Sequence, residues 1–291
     1  MLKAEGIYGE KPLRWAYETI AGRCALEAVI KRRWFSALYG CWADCRCSAK
    51  EIASFIRNFE LNPDEFLEAP ETFQTFNQFF HRKLKEEARP VDEGAMTGCF
   101  PADGRHLFVP NLDQEQPLYA KGQRLNLAGL LGDSELSREF AGGSAILSRL
   151  CPTDYHRFHF PFAGQTGTPQ LINGNLYSVN PIALARNIHY ITENKRRHTR
   201  ISESPVGSYL FLEVGATNVG SIIDTSEPGI SVQKGEEKGY FRFGGSMVIT
   251  LFKAGTFHPV PDLEKQSRNG IELYARMGDL MGEATTGDLP G

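Results

Sequence analysis

Apolar and polar residues follow two rhythms along this chain, and the rhythm changes near residue 95. Before that point the apolar positions recur three and four apart. In "SAKEIASFIRNF" the residues Ile52, Phe55, Ile56 and Phe59 fall on one helical face, and Ser48 with Glu51 reads as a capping box at its start. Asn62 before Pro63 predicts a second helix start, and Phe73, Phe76, Phe80 and Leu84 repeat the one-face spacing in a third helix. From about Phe100 onward the texture is short apolar runs broken by Gly, Pro, Asn and Asp, such as "SAILSRL", "SYLFLEVGA" and "GSMVITLF", which predict strands. The expected fold is α+β: an N-terminal helical portion over residues 1–95 and a mostly antiparallel β domain, sandwich- or barrel-like, over 96–291. No repeat or low-complexity tract interrupts it, and the tail "GEATTGDLPG" is expected to be loose.

Composition narrows the class. With 41% hydrophobic residues in 291 the chain has enough apolar material for a sizeable core. Its 32 Lys plus Arg against 35 Asp plus Glu leave a formal charge of -3, so no global field marks a nucleic-acid binder. No segment approaches the roughly 18 uninterrupted apolar residues of a membrane span, and "MLKAEGIYGEKPLRW" lacks the apolar run of a signal peptide. Residence on the cytoplasmic side is expected. The cysteines 24, 41, 45, 47, 99 and 151 read as reduced thiols, and "CWADCRC" has no second pair at a zinc spacing, so no metal is expected.

The first 45 residues carry a further signal. Trp15, Trp34, Phe35 and Trp42 are mixed with Arg14, Arg23, Lys31, Arg32 and Arg33. Such a mix suits helices lying in a lipid headgroup layer, and equally suits amphipathic helices packed on their own domain.

Candidate chemistry lies in three places. "FRFGGSMVITLF" sets Gly244, Gly245 and Ser246 at the threshold of a buried strand, which alone reads as a tight turn. "LCPTDYHRFHFP" carries His156 and His159 three residues apart, and "FPADGRH" holds Asp103 in a turn it would cap. In a strand the three-residue offset points the two imidazoles to opposite faces, whereas in a turn they converge. Asp103, His159 and Ser246 are the types that activate a hydroxyl, with His taking its proton and Asp fixing the tautomer. Spacing alone does not bring them together.

These residues also carry a resemblance. Through "FNQFFHRKLKEEARPV", "PADG", "DYHRFHFP", "LYSVNPIAL", "VGATNVGSI", "KGEEKGYFRFGGS" and "NGIELYARMGDLMG" the chain resembles phosphatidylserine decarboxylase proenzymes of the shorter bacterial kind, over most of residues 70–283. The resemblance implies that the chain cuts itself between Gly245 and Ser246 into a β chain, 1–245, and an α chain, 246–291, with Ser246 becoming a covalent pyruvoyl group as the cofactor. It implies a relay of Asp103, His159 and Ser246 for the cut, and a role for His156 at the decarboxylation stage. Met247 departs from the Thr or Ser that usually follows the reactive serine.

Gly245, lacking a side chain, lets its carbonyl turn toward Ser246 Oγ. The implied chemistry is a Schiff base between the ketone and the amine of phosphatidylserine, with loss of CO2 to give phosphatidylethanolamine. The partners implied are phosphatidylserine, an anionic membrane surface reached peripherally from the cytoplasmic side, the enzyme's own two chains, and a further copy in a homo-oligomer. The lipid substrate favours the headgroup-layer reading of the first helices. Other readings are a pyruvoyl enzyme for a soluble amino-acid-derived substrate, a Ser-His-Asp hydrolase that never cuts itself, and a silent lipid-binding module. The hydrolase lacks its Gly-x-Ser-x-Gly elbow here.

Overall fold

The computed structural model describes residues 10–115, 119, 124–216, 222–244 and 246–285, and of Arg33 the backbone only. Gly245, the 217–221 part of "VGATNVGSI", residues 1–9 and the end from 286 lie outside the described residues. The chain opens with helices α1 (Glu10–Glu18), α2 (Ile20–Ala25), α3 (Arg33–Ala43), α4 (Ile52–Asn58) and α5 (Phe76–Phe80).

Three local expectations change here. Ser48 caps nothing by its own box: it is buried, its Oγ donates to the Ala43 and Cys45 carbonyls, and it accepts the Phe76 amide at 2.8 Å. Ser48 lies inside a 3-10 helix, Arg46–Glu51, that runs directly into α4 at Ile52. The third helix is five residues long, because Phe73 reaches the same aromatic cluster from an extended segment and Leu84 sits in a bridge with Phe66. Asn62 does cap, its Oδ1 accepting from the Asp64 amide at 3.1 Å, but only a single 3-10 turn follows.

The strands are β1 (Thr97–Cys99), β2 (Gly104–Val109), β3 (Ser144–Leu150), β4 (Arg157–His159), β5 (Gly164–Thr166), β6 (Gln170–Ile172), β7 (Arg196–Ser204) and β8 (Gly207–Gly215). They continue as β9 (Ile222–Asp224), β10 (Ser231–Val232), β11 (Glu237–Phe241), β12 (Ser246–Phe252), β13 (Phe257–Pro259), β14 (Leu273–Ala275) and β15 (Leu280–Ala284). Part of the tail expected to be loose is therefore the middle strand of a sheet, β15 between β1 and β13. The largest sheet runs β10-β5-β7-β8-β12-β3-β2-β14, with β6 beside β7, and a small sheet runs β4-β11-β9. Every ladder is antiparallel and the large path stays open, so the fold is layered sheets rather than a closed barrel.

β12 is buried at every position and lies between β3 and β8, with Ser246 opposite Leu150 on one side and Gly215 on the other. Side chains alternate across a strand. Met247, Ile249 and Leu251 enter one core and Val248 and Phe252 the other, which also holds Phe158 and Phe241 of the small sheet and Phe160 just after β4. Period 2 puts Ser246 on the Val248 face, toward the small sheet. A third core joins Phe55, Phe66, Phe76, Phe79 and Phe80 to Phe243. The segment leading to Ser246 is thereby anchored in the N-terminal helices: Phe243 stacks on Tyr39 with centroids 5.2 Å apart, and its amide donates to Asn77 Oδ1 at 3.0 Å.

Candidate active site

The chain after β3 turns back on itself, and the turn decides where the first histidine points. The Cys151 amide donates to Asp154 Oδ2 at 2.7 Å, and the Asp154 amide returns to the Cys151 carbonyl at 2.9 Å. Burial pushes the Asp154 carboxyl up to about 7 despite that backbone bond. The same Cys151 carbonyl accepts from His156 Nε2 at 2.9 Å. A carbonyl only accepts, so Nε2 carries the proton and Nδ1 keeps a lone pair. That nitrogen lies 3.4 Å from Ser246 Oγ, the long end of hydrogen-bond range. Burial lowers the His156 imidazole to about 3, which keeps the ring neutral.

His159 repeats the arrangement with its nitrogens exchanged. Nδ1 lies 2.9 Å from the Gly235 carbonyl and must be the donor, while the buried Nε2 has no hydrogen-bond partner. Burial lowers this imidazole as well, opposed by the nearby charges of Glu237 and Asp103. Both rings are thus neutral bases, each fixed in its tautomer by a backbone carbonyl. They diverge because His156 belongs to the turn and His159 to β4.

Asp103 is buried and fully engaged. Arg89 grips it through Nε, at 2.8 and 3.0 Å from the two oxygens, and through Nη2, and the Met277 amide donates to Oδ1 at 2.8 Å. The His159 amide donates to the Pro101 carbonyl at 2.7 Å, which ties β4 to the turn holding Asp103. The structure therefore brings Ser246 to His156 by a hydrogen bond, and Asp103 to His159 as a neighbouring charge. No hydrogen bond joins Asp103 to His159, or His159 to Ser246.

Gly244 enters β12 with φ +136°, a conformation that side-chain-bearing residues rarely adopt. Its glycine is thus required by the backbone. Met247 points into the core away from Ser246, where a hydroxyl would be buried among Ile249 and Leu251.

Sequence reasoning passed over Arg89 and Phe80. Arg89 stands in the quoted "KEEARPV", yet nothing local distinguishes an arginine holding a buried aspartate from a solvated one. Phe80 looked like one more apolar position on a helix, but its ring stacks on His156.

The sequence signature described as phosphatidylserine decarboxylase matches residues 76–283. Curated relatives carry the name phosphatidylserine decarboxylase proenzyme. The one from Clostridium kluyveri is 42% identical over 278 residues, covering 96% of this chain and 94% of its own. Those from Clostridium novyi and Clostridium botulinum are each 41% identical over the same 278 residues, with the same shares covered.

Proposed function

The chain belongs to the phosphatidylserine decarboxylase family of carboxy-lyases, and from that premise we propose that it matures by cutting itself before Ser246 and then converts phosphatidylserine to phosphatidylethanolamine. The observation that carries the reading is the contact of Ser246 Oγ with the lone-pair nitrogen of a neutral, buried histidine at the mouth of a fully buried strand. Oγ adds to the carbonyl carbon of Gly245 and the peptide C–N bond breaks, giving an ester and a free amine. Elimination across Cα and Cβ then releases the Gly245 carboxylate, and hydrolysis of the resulting dehydroalanine expels ammonia.

His159 has the uncommitted lone pair to take the hydroxyl proton, and the Asp103 charge beside it stabilises the imidazolium that forms. In the uncut chain Oγ rests against His156, so this relay requires the hydroxyl to turn from one ring to the other. His156 is then left at the residue that becomes the prosthetic group with its Nδ1 lone pair facing it, where it can take a proton from the substrate amine as that amine adds and return the same proton to the carbon that loses CO2.

The site fits a pyruvoyl group at position 246. Residue 246 has no exposed surface, and the unpaired His159 nitrogen is a polar atom awaiting a partner. Once formed, the group supplies a carbonyl that takes up the substrate amine and withdraws the electrons released with CO2. A Ser-His-Asp hydrolase is less well supported, because the second nitrogen of His156 serves a backbone carbonyl and Asp103 serves Arg89.

The lipid must be met at the membrane surface. No helix among the described residues is long and apolar enough to cross a membrane. The first helices instead expose Trp15, Ile20, Trp34 and Leu38. Two of the expected lipid-facing cations are paired within the chain, Arg14 with Glu10 and Glu18, and Lys31 with Glu27 and the Tyr177 hydroxyl. Apolar insertion therefore outweighs those two charges in a peripheral attachment, on the cytoplasmic side, of an enzyme working as its two chains in a homo-oligomer.

Intact mass of the purified protein tests the reading. Wild type should separate into residues 1–245 and 246–291, the second lacking a free amine, and Ser246→Ala should remain one chain. A cut at this bond in Ser246→Ala would remove the mechanism.

A further inference from the structure

Arg82 follows the short helix that carries Phe80, and only 5% of it is exposed. Its guanidinium rests against the rings of Phe66 and Phe79, 4.7 and 4.8 Å from their centroids. Nη1 reaches the Phe79 carbonyl at 3.4 Å, and the buried Nε donates to nothing. No ion pair among the described residues includes it. Arg89 close by is the contrast, since it is held by both Asp103 and Glu65. A buried cation that no carboxylate pairs directly is expensive: the charges of Asp103 and Asp154 act on it only from beyond ion-pair distance, and two aromatic faces return only part of the cost. Such a group is built to receive an anion.

The space for the anion is present. Arg82 lines a cavity of about 330 Å³ together with Arg89, Asp103, Arg105, Asp154 and Tyr155. Of the four acids on that wall, Glu60 is exposed to solvent and the other three are engaged by other donors: Glu65 by Arg89 and Arg276, Asp103 by Arg89 and the Met277 amide, Asp154 by the Cys151 amide. The cavity adjoins the reacting residues, because Asp154 and Tyr155 lead directly into His156, and Phe80, two residues before Arg82, lies flat on the His156 ring.

We propose that Arg82 holds the phosphodiester of the phospholipid headgroup while the serine end of the same headgroup reaches position 246. The assignment rests on the reading of Ser246 as the reacting residue. Two anionic groups of the substrate compete for the role, and the chemistry chooses between them. The carboxylate loses its charge as CO2 leaves, so a guanidinium bound to it would stabilise the ground state and slow the reaction. The phosphodiester keeps its charge throughout and suits the planar fork of arginine.

The test is a calorimetric titration of the uncut Ser246→Ala chain with glycerophosphoserine, the headgroup without its acyl chains. Inorganic phosphate should compete with it, free serine at the same concentration should not, and phosphate alone should bind more weakly than the whole headgroup. Arg82→Lys and Arg82→Gln on that background should weaken glycerophosphoserine binding on the order of 10- to 100-fold. In the cleaved enzyme the Arg82→Lys loss should fall on KM rather than on kcat.

Undiminished binding by both variants overturns the proposal, as does competition by serine but not by phosphate. Phosphate binding as tightly as glycerophosphoserine also overturns it, leaving an inorganic anion site. Should both variants unfold, the competition measured with arginine in place decides alone. A wild type that never cuts itself would remove the reading of Ser246, and intact mass reports that separately from the titration.

Discussion

His156 lies flat against Phe80, with ring centroids 3.9 Å apart and planes 22° from parallel. The stack leaves the imidazole only its edges, one nitrogen for the Cys151 carbonyl and the other for Ser246. Phe80→Leu keeps an apolar neighbour but removes the plane that aligns the ring. We expect the variant to fold, with a loss of about 1–3 kcal/mol, and to lose turnover 10- to 100-fold through misplacement of His156. CO2 release, normalised to the cleaved fraction on a gel, measures this. Wild-type turnover in Phe80→Leu would show that the stack only fills space.

The buried titratable groups set the acid response of the fold. His106 and His156 are both lowered to about 3 by burial, from an ordinary 6.5. Between those values the unfolded chain binds the extra protons, so each contributes stability that is complete above pH 6.5 and falls as the pH drops, by up to about 1.4 kcal/mol per pH unit. Asp154 acts in the opposite sense. Raised from 3.8 to about 7, it holds an extra proton in the folded state, and its contribution is lost as the pH rises through 7. Two histidines outweigh one aspartate, so the uncut Ser246→Ala chain should lose urea stability from pH 7 to pH 5. Adding Asp154→Asn removes the opposing contribution and should steepen the loss. An unchanged slope would mean that Asp154 is ionised in the folded chain.

The two halves of the fold differed in how readable they were. Strand β12 and its neighbours were legible because runs such as "SMVITLF" are apolar but for Ser246 and Thr250, which is nearly what a strand buried on both faces requires. The helices were legible as apolar faces but not in length. Phe73, Phe76 and Phe80 keep a helical spacing although only the last two lie in one helix, because what the spacing recorded was a shared aromatic cluster. At the site, Ser246 and both histidines could be named from the sequence, whereas the ring contacting Ser246 could not. That depends on the Cys151 turn, which aims His156 from outside the strand that carries His159. Arg82 and Arg89 were illegible for a related reason: the carboxylates that hold Arg89 lie 14 and 24 positions away, and Arg82 is buried only once the Phe66 and Phe79 rings are brought against it.

The lipid-facing role of the first helices makes a surface prediction. Trp34 and Leu38 stand one turn apart on α3, 54% and 63% exposed. Groups this exposed contribute little to folding, so Trp34→Ser with Leu38→Ser should leave stability within about 0.5 kcal/mol of wild type. If the pair inserts into a bilayer, each side chain supplies about 1.5–3 kcal/mol of binding, and flotation with anionic vesicles should fall at least tenfold. Turnover of a short-chain substrate dispersed in detergent should fall far less. Equal flotation of the two proteins would return this face to ordinary surface.

The last prediction separates the two histidines, whose rings are fixed in the same way but aimed apart. His159 has a free lone pair and the Asp103 charge beside it, and on the relay reading it takes the Ser246 proton, so His159→Ala should remain one chain. Asp103→Asn should mature slowly for the same reason, and it also leaves Arg89 with Glu65 as its one remaining carboxylate partner. His156 already touches Ser246 Oγ before the cut, and on the same reading that contact orients the hydroxyl and persists into the decarboxylation stage. His156→Ala should therefore still cut itself and then turn over 10²- to 10⁴-fold more slowly, the range of a lost general acid. A denaturing gel and a CO2-release assay on the variants, prepared side by side, give the answer. If His156→Ala stays uncut while His159→Ala matures, then the 3.4 Å hydrogen bond is itself the proton path of the cut, and the roles of the two rings exchange.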